Sequence, residues 1–145
     1  NKDINDKMVL SNEEFHLFIK TLANEKKKAN RNPFCKTIIH TNRALQFCYD
    51  KETIYQCSAG ISLLTILADG TLLPCRRLPI SIGNVLEKDI MTLYNNSKII
   101  KDLNKRECPN ECKKCLYQKT CNGGAKCLTY AITKDYNNKD INCIF

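Results

Sequence analysis

An α+β fold, with a β-hairpin and helices organised around metal-bound cysteines, follows from three observations. A capped, amphipathic helix pattern occupies residues 11–29. An Asp69-Gly70 pair lies between two strand-like runs, a strong short-range hairpin signal. Ten cysteines fall within 145 residues, clustered at x2, x3 and x5 spacings that suit a shared metal better than disulfides.

"KMVL" (7–10) reads as the end of a strand. Ser11 and Glu14 form an S-x-x-E capping box. Phe15, Phe18, Ile19 and Leu22 then recur at helical spacing and predict one apolar face. Lys26-Lys27-Lys28 fall near the helix end, where cations favour the negative pole of its dipole. "NRNP" (30–33) stops the helix, and "KTIIHT" (36–41) predicts a second short strand. Strand, helix, strand is the alternation of an α/β unit.

A second region begins near residue 48. "ISLLTIL" (61–67) predicts a strand, "ADGT" its turn and "TLLPC" the return strand. Pro74 belongs at a strand end, because it has no N–H for the ladder. Gly83-Asn84 reads as a turn. Residues 87–104 predict a helix burying Ile90, Leu93, Ile100 and Leu103, with Asn95-Asn96 weakening its middle. "LTYAIT" (128–133) predicts a last helix; the tail after it has no period.

The length suits one domain, or a small domain with an appended piece, and is short of the about 250 residues of a complete (β/α)8 barrel. The chain starts at Asn1, so a fragment, a processed product or a longer parent chain is expected. No apolar run approaches the roughly 20 residues that span a membrane, and the start has no hydrophobic signal core. A cytoplasmic location is therefore expected, and with it metal rather than disulfides. The net charge is +8, but the basic residues are scattered and not interleaved with aromatics, which argues against nucleic acid. His16 and His40 lack ligand spacing, and there is no Ser-His-Asp set, phosphate loop or carboxylate pair to argue from.

Cys108-x3-Cys112-x2-Cys115 has the spacing by which radical S-adenosylmethionine (SAM) enzymes hold their catalytic cluster. In that family most of a barrel follows the motif. Here only thirty residues follow Cys115, without alternating strands to hold SAM. From Cys57 onward the order is different and more specific. Cys57 is followed by twelve residues, Gly70, four residues and Cys75; then come Cys112-x2-Cys115-x5-Cys121, Cys127 and Cys143. With "CSAG", "ILADGTLLPC", "IGNVLE" and "CNGGAKC" around these cysteines, the chain from about residue 48 to 145 resembles the SPASM domain, the carboxyl-terminal extension of many radical SAM enzymes.

That resemblance implies two auxiliary [4Fe–4S] clusters. Cys57, Cys75 and Cys127 would hold the first, with Cys48 the nearest upstream candidate for a fourth ligand. Cys112, Cys115, Cys121 and Cys143 would hold the second. Cys35 and Cys108 are left without a role, Cys108 as a spare thiol or alternative ligand. The family's usual C-x3-C is here Cys121-x5-Cys127, and Gly123-Gly124 can absorb two further residues in a turn. Residues 1–47, with "MVLSNEEFHLFIKTLANE", resemble the end of a radical SAM barrel or a linker helix. Two clusters at about −2 each would bring the chain to about +4.

The implied function is that of the auxiliary-cluster domain of a radical SAM maturase acting on a peptide or protein. SAM would bind in the parent's barrel, and this chain alone would be inactive. The clusters would serve electron transfer, with substrate engagement as a further role; a ferredoxin or flavodoxin is the expected class of electron donor. Arg76-Arg77 would offset cluster charge, meet an anionic group or simply be solvated. Asp69 and Asp140 read as turn residues, and Tyr117 and Tyr130 as packing near the clusters. The residues leave open a zinc-binding interaction module, since four-cysteine knuckles also suit zinc, and a stand-alone iron–sulfur electron carrier.

Overall fold

The computed structural model describes residues 10–51 and 55–145. The "KMVL" segment lies outside the described residues except for Leu10, which is in no regular element. Among the described residues the architecture is α+β, with five α-helices and one three-stranded antiparallel sheet. No helix among the described residues is long and apolar enough to cross a membrane. The chain divides into two units, one formed by the residues up to Tyr55 with Ile141–Phe145, the other by Gln56–Asp140.

In the first unit α1 spans Asn12–Arg31. Ser11 caps it: the Glu14 N–H donates to the Ser11 hydroxyl, and the Ser11 N–H donates to the Glu14 carboxylate. Ile19 and Ala23 form its buried stripe, while Phe18 is about half exposed and does not join it. The stripe follows i, i+4 from Phe15, and Phe18 lies a quarter-turn away. Lys26 is partly buried and pairs with Asp50 at 2.8 Å, so this lysine is not simply solvated. Residues 36–41 form no strand. Ile38 is largely exposed there, and a strand without a ladder partner leaves its backbone groups to water. A single 3₁₀ turn, Gln46–Cys48, packs with α1. Phe47 stacks on Phe145, with ring centroids 6.3 Å apart.

In the second unit β1 (Thr65–Ile66) pairs with β2 (Thr71–Leu73) across the Asp69-Gly70 turn, with Thr65 opposite Leu73 and Ile66 opposite Leu72. The Asp69 carboxylate accepts from the Thr71 N–H and braces the turn. β1 is shorter than the apolar run suggests, because residues 58–63 curl into turns around the Ser58 carbonyl. Pro74 follows β2 directly, at the strand end its missing N–H demands. Gly83-Asn84 is not a turn but β3, antiparallel to β2. The Asn84 amide donates to the Asp69 carbonyl, so the side chain that suggested a turn ties β3 to the hairpin instead. Gly83 has φ +136, and a Cβ there would overlap Leu93, which explains how a glycine comes to sit in this strand.

The helix expected over 87–104 is two helices, α2 (Ile90–Asn96) and α3 (Lys98–Lys105). Ser97 ends the first and caps the second, its hydroxyl accepting from the Ile100 N–H. Ser competes well for backbone donors at a cap and poorly mid-helix, so the break falls there, just past the two asparagines. Leu93, Ile100 and Leu103 are buried, but Ile90 is 39% exposed. After a 3₁₀ turn at Asn110–Cys112 come α4 (Gln118–Cys121) and α5 (Lys126–Thr133). Ala59, Leu78 and Leu103 form a buried cluster at the centre of this unit.

Leu103→Ala should therefore cost about 2–5 kcal/mol in urea unfolding, whereas Ile90→Ala should stay within about 0.5 kcal/mol. Equal losses in the two variants would show that α2 and α3 share their burial differently.

Candidate metal centre

Cys57, Cys75 and Cys127 come from three distant stretches: the entry to the hairpin unit, the end of the hairpin and the first turn of α5. All three pack against the Ala59–Leu78–Leu103 cluster, as do Ile80, Ile99, Tyr130 and Tyr136. Burial pushes the Cys57 thiol above its ordinary pKa; the Ala59 N–H opposes that shift, and charge on Cys127 or Cys75 adds to it. The thiols are thus close enough to feel one another. The Arg77 N–H points at Cys75 Sγ, 3.4 Å away, while the Arg76 and Arg77 side chains are exposed. Three soft donors, an apolar floor and N–H groups directed at sulfur make a set that fits an iron–sulfur cluster.

The knuckle carries Cys112, Cys115 and Cys121. Cys112 is buried and the other two are half-buried. Backbone bonds coil the segment tightly: the Cys115 N–H donates to the Cys112 carbonyl, and the Gly124 N–H to the Cys121 carbonyl. Asn122, Gly123 and Gly124 are all left-handed. A Cβ on Gly124 would run into Asp140, so this glycine permits both the conformation and the approach. Asp140 is 2% exposed, and its carboxylate accepts from the Ala125 N–H at 2.7 Å. It is a buried clamp on the turn before α5, not simply a turn residue of its own.

Cys108 is half-buried at a polar cleft of about 840 Å³, beside Lys105, Arg106, Lys113 and Lys119. Tyr130 packs on the cysteine-lined core as expected, whereas Tyr117 is 40% exposed. In the first unit Cys48 and Cys143 are neighbours; burial first, then charge on Cys143, raises the Cys48 pKa. The Cys143 thiol points at the Phe145 carbonyl, and Cys35 points at that of Thr37. His16 has structural partners: Nε2 donates to the Asn142 carbonyl at 2.8 Å, leaving Nδ1 to accept from the Tyr49 hydroxyl at 3.2 Å. Among the described residues, no group of three or more His, Cys, Asp or Glu side chains is gathered closely enough to hold a single metal ion.

Residues 57–116 match the SPASM family, an iron–sulfur cluster-binding domain. These sixty residues are thus similar to a SPASM domain. The match takes in Cys57, Cys75, Cys108, Cys112 and Cys115 and ends before Cys121. The chain is also 29% identical, over 90 residues, to the AdoMet-dependent heme synthase of Methanosarcina barkeri. That alignment covers 61% of this chain and 26% of the relative, so the chain spans about a quarter of that protein's length. No solved structure matches.

Beside the SPASM cysteines the structure adds two residues that the sequence reading passed over or misjudged. Lys126 is 5% exposed and lies where its charge acts on Cys57; Asp140 holds the turn that delivers it. The departure from C-x3-C was the available signal, since Lys126 lies within the lengthened Cys121-x5-Cys127 spacing.

The raised pKa of Cys57 has a consequence for the metal-free chain. As pH rises into the ordinary thiol range, the unfolded chain gives up this proton before the folded one does. The unfolded state then binds fewer protons, so stability falls with rising pH across that window and is unaffected below it. Urea midpoints of the metal-free protein should drop between about pH 7.5 and 10, and Cys57→Ala should flatten the drop. An unchanged slope in that variant would place the titrating thiol elsewhere.

Proposed function

We propose that the chain is the auxiliary-cluster region of a radical SAM enzyme, binding two [4Fe–4S] clusters. The observation that carries the reading is the convergence of Cys57, Cys75 and Cys127 on one apolar core within a unit that contains the SPASM match. In this reading residues 1–47 are the end of the parent's barrel or a linker helix, and residues 48–145 form the cluster domain.

Cys57, Cys75 and Cys127 would anchor the first cluster and Cys112, Cys115 and Cys121 the second. By the family resemblance, Cys48 would be the candidate to complete the first set and Cys143 the fourth ligand of the second. Bound there, the clusters would supply one-electron transfer. The residues around them do the rest. Leu78, Leu103 and Tyr130 line the thiol-bearing core with apolar surface. The N–H groups of Ala59 and Arg77 stabilise negative charge on Cys57 and Cys75. The left-handed turn at 122–124 would separate the last knuckle cysteine from Cys127 along the chain.

For the parent, a peptide or protein substrate is the reading drawn from the family's maturases. Similarity to an AdoMet-dependent heme synthase favours a second one, in which the parent takes part in heme synthesis. Binding of a candidate peptide or of a porphyrin by the full-length parent would separate them.

Anaerobic reconstitution of the chain should give about eight irons and matching labile sulfide. Cys112→Ala should lose about four irons, because one iron of the second cluster has no anionic anchor, while Cys108→Ala should keep all about eight. A plateau near four irons in the parent sequence would show one ligand set to be wrong. Stoichiometric zinc without sulfide would replace the reading with a zinc module.

A further inference from the structure

Four cations open onto one cleft of the second unit. Lys105, Arg106, Lys113 and Lys119 line the polar cleft beside Cys108, and all four are exposed. One carboxylate, Glu107, stands among them. Little within the chain offsets this charge. Lys105 is loosely paired with Asp102 at 3.7 Å, and Arg106 is tied to the neutral Gln56 side chain. Neither Lys113 nor Lys119 is in an ion pair among the described residues. Backbone geometry sets the walls. Lys105 and Arg106 end α3, where Arg106 is left-handed, and Lys119 belongs to α4, which the left-handed Asn122 closes. A Cβ on Gly123 would overlap the Pro109 ring, so this glycine lets the turn after α4 approach the segment that leads to Lys113.

We propose that this cleft binds an acidic peptide segment, with its carboxylates on the four cations and its backbone on the side-chain amides between them. The volume of about 840 Å³ is that of a ligand-sized cleft. Gln56, Asn110, Gln118 and Asn122 complete much of the lining. Each amide offers both donors and an acceptor, which is what a peptide backbone requires. The same lining argues against other anions. A porphyrin carries carboxylates but needs apolar walls for its macrocycle, and a single nucleic-acid strand needs aromatic faces for its bases. No aromatic and no branched aliphatic residue lines this cleft. The inference deepens the peptide or protein reading above and rests on it for the identity of the partner; the cleft itself does not depend on bound clusters.

The chain contains no tryptophan, so the anisotropy of a single Trp in a short Glu-Gly peptide reports its binding to the reconstituted chain. The expected result is saturable binding that weakens with added salt, because exposed charges are screened, and no binding of the same peptide with Gln for Glu. Lys113→Glu with Lys119→Glu should weaken binding about tenfold. Lys88→Glu with Lys101→Glu, equal in charge but outside the cleft, should weaken it by less than about twofold. Glu107→Gln should tighten it about two- to threefold, a gain that a misfolded chain would not give. If the first double variant loses iron, Glu107→Gln decides alone. Equal effects of the two double variants, or unchanged affinity in Glu107→Gln, would overturn the proposal. So would displacement of the peptide by an equal concentration of a single-stranded oligonucleotide or a dicarboxylic porphyrin. Iron content is read separately: full iron without peptide binding sinks the cleft proposal and leaves the cluster reading, whereas peptide binding without iron does the reverse.

Discussion

The packing of three cysteines against Ala59, Leu78 and Leu103 is the contact on which the larger unit depends. It joins the segment before the hairpin, the end of the hairpin, α3 and α5. Its fully buried part is small, and the larger side chains around it, Ile80, Ile99, Tyr130 and Tyr136, are only partly buried. The strands are two or three residues long, and α2, α4 and α5 have no more than eight residues each. Fully burying one Leu contributes about 1.5–3 kcal/mol, while ordering each residue costs about 1–2 kcal/mol of backbone entropy. A unit with so small an apolar centre would gain much from cross-links between distant segments, and in the proposed cluster-bound form metal affinity would become folding free energy.

The same scarcity explains how much local geometry is spent on turns. Left-handed residues end α3, α4 and α5, at Arg106, Asn122 and Lys134. Each closes a short helix within a turn and releases the chain in a new direction. Arg106 also donates to the Gln56 side chain, so the end of α3 is tied next to the segment that presents Cys57. The Asn104 amide and the Tyr94 hydroxyl both donate to the Gly60 carbonyl, bringing α2 and α3 against the start of the hairpin region. Polar side chains thus align the cysteine-bearing segments where apolar surface is short. Cys57 and Lys126 raise the same question from opposite signs: burial opposes charge on each, and their proximity offsets part of that penalty.

Local patterns were legible wherever a few neighbouring residues decide the outcome. The capping box at Ser11, the Asp69-Gly70 turn, the strand end at Pro74 and the final helix all appear where the sequence places them. Patterns failed where a distant partner decides. "KTIIHT" has strand composition but no ladder to join, and Gly83-Asn84 has turn composition but meets β2. Ser97 shows a middle case: the weakness at Asn95-Asn96 was visible, but a complete break required the serine to cap the next helix.

The sequence by itself determined the chemistry of this protein: soft thiol donors, their order along the chain and the SPASM pattern they make. Ligand type and spacing are properties of the chain, and one-dimensional order is enough to show them. Only the tertiary structure decided which thiols share an environment, with Cys57, Cys75 and Cys127 on one core and Cys48 beside Cys143. It alone showed that Lys126 is buried and that Asp140 is a clamp. Burial and electrostatic proximity depend on segments far apart in sequence, and a lysine or aspartate carries no local mark of whether the fold will leave it in water.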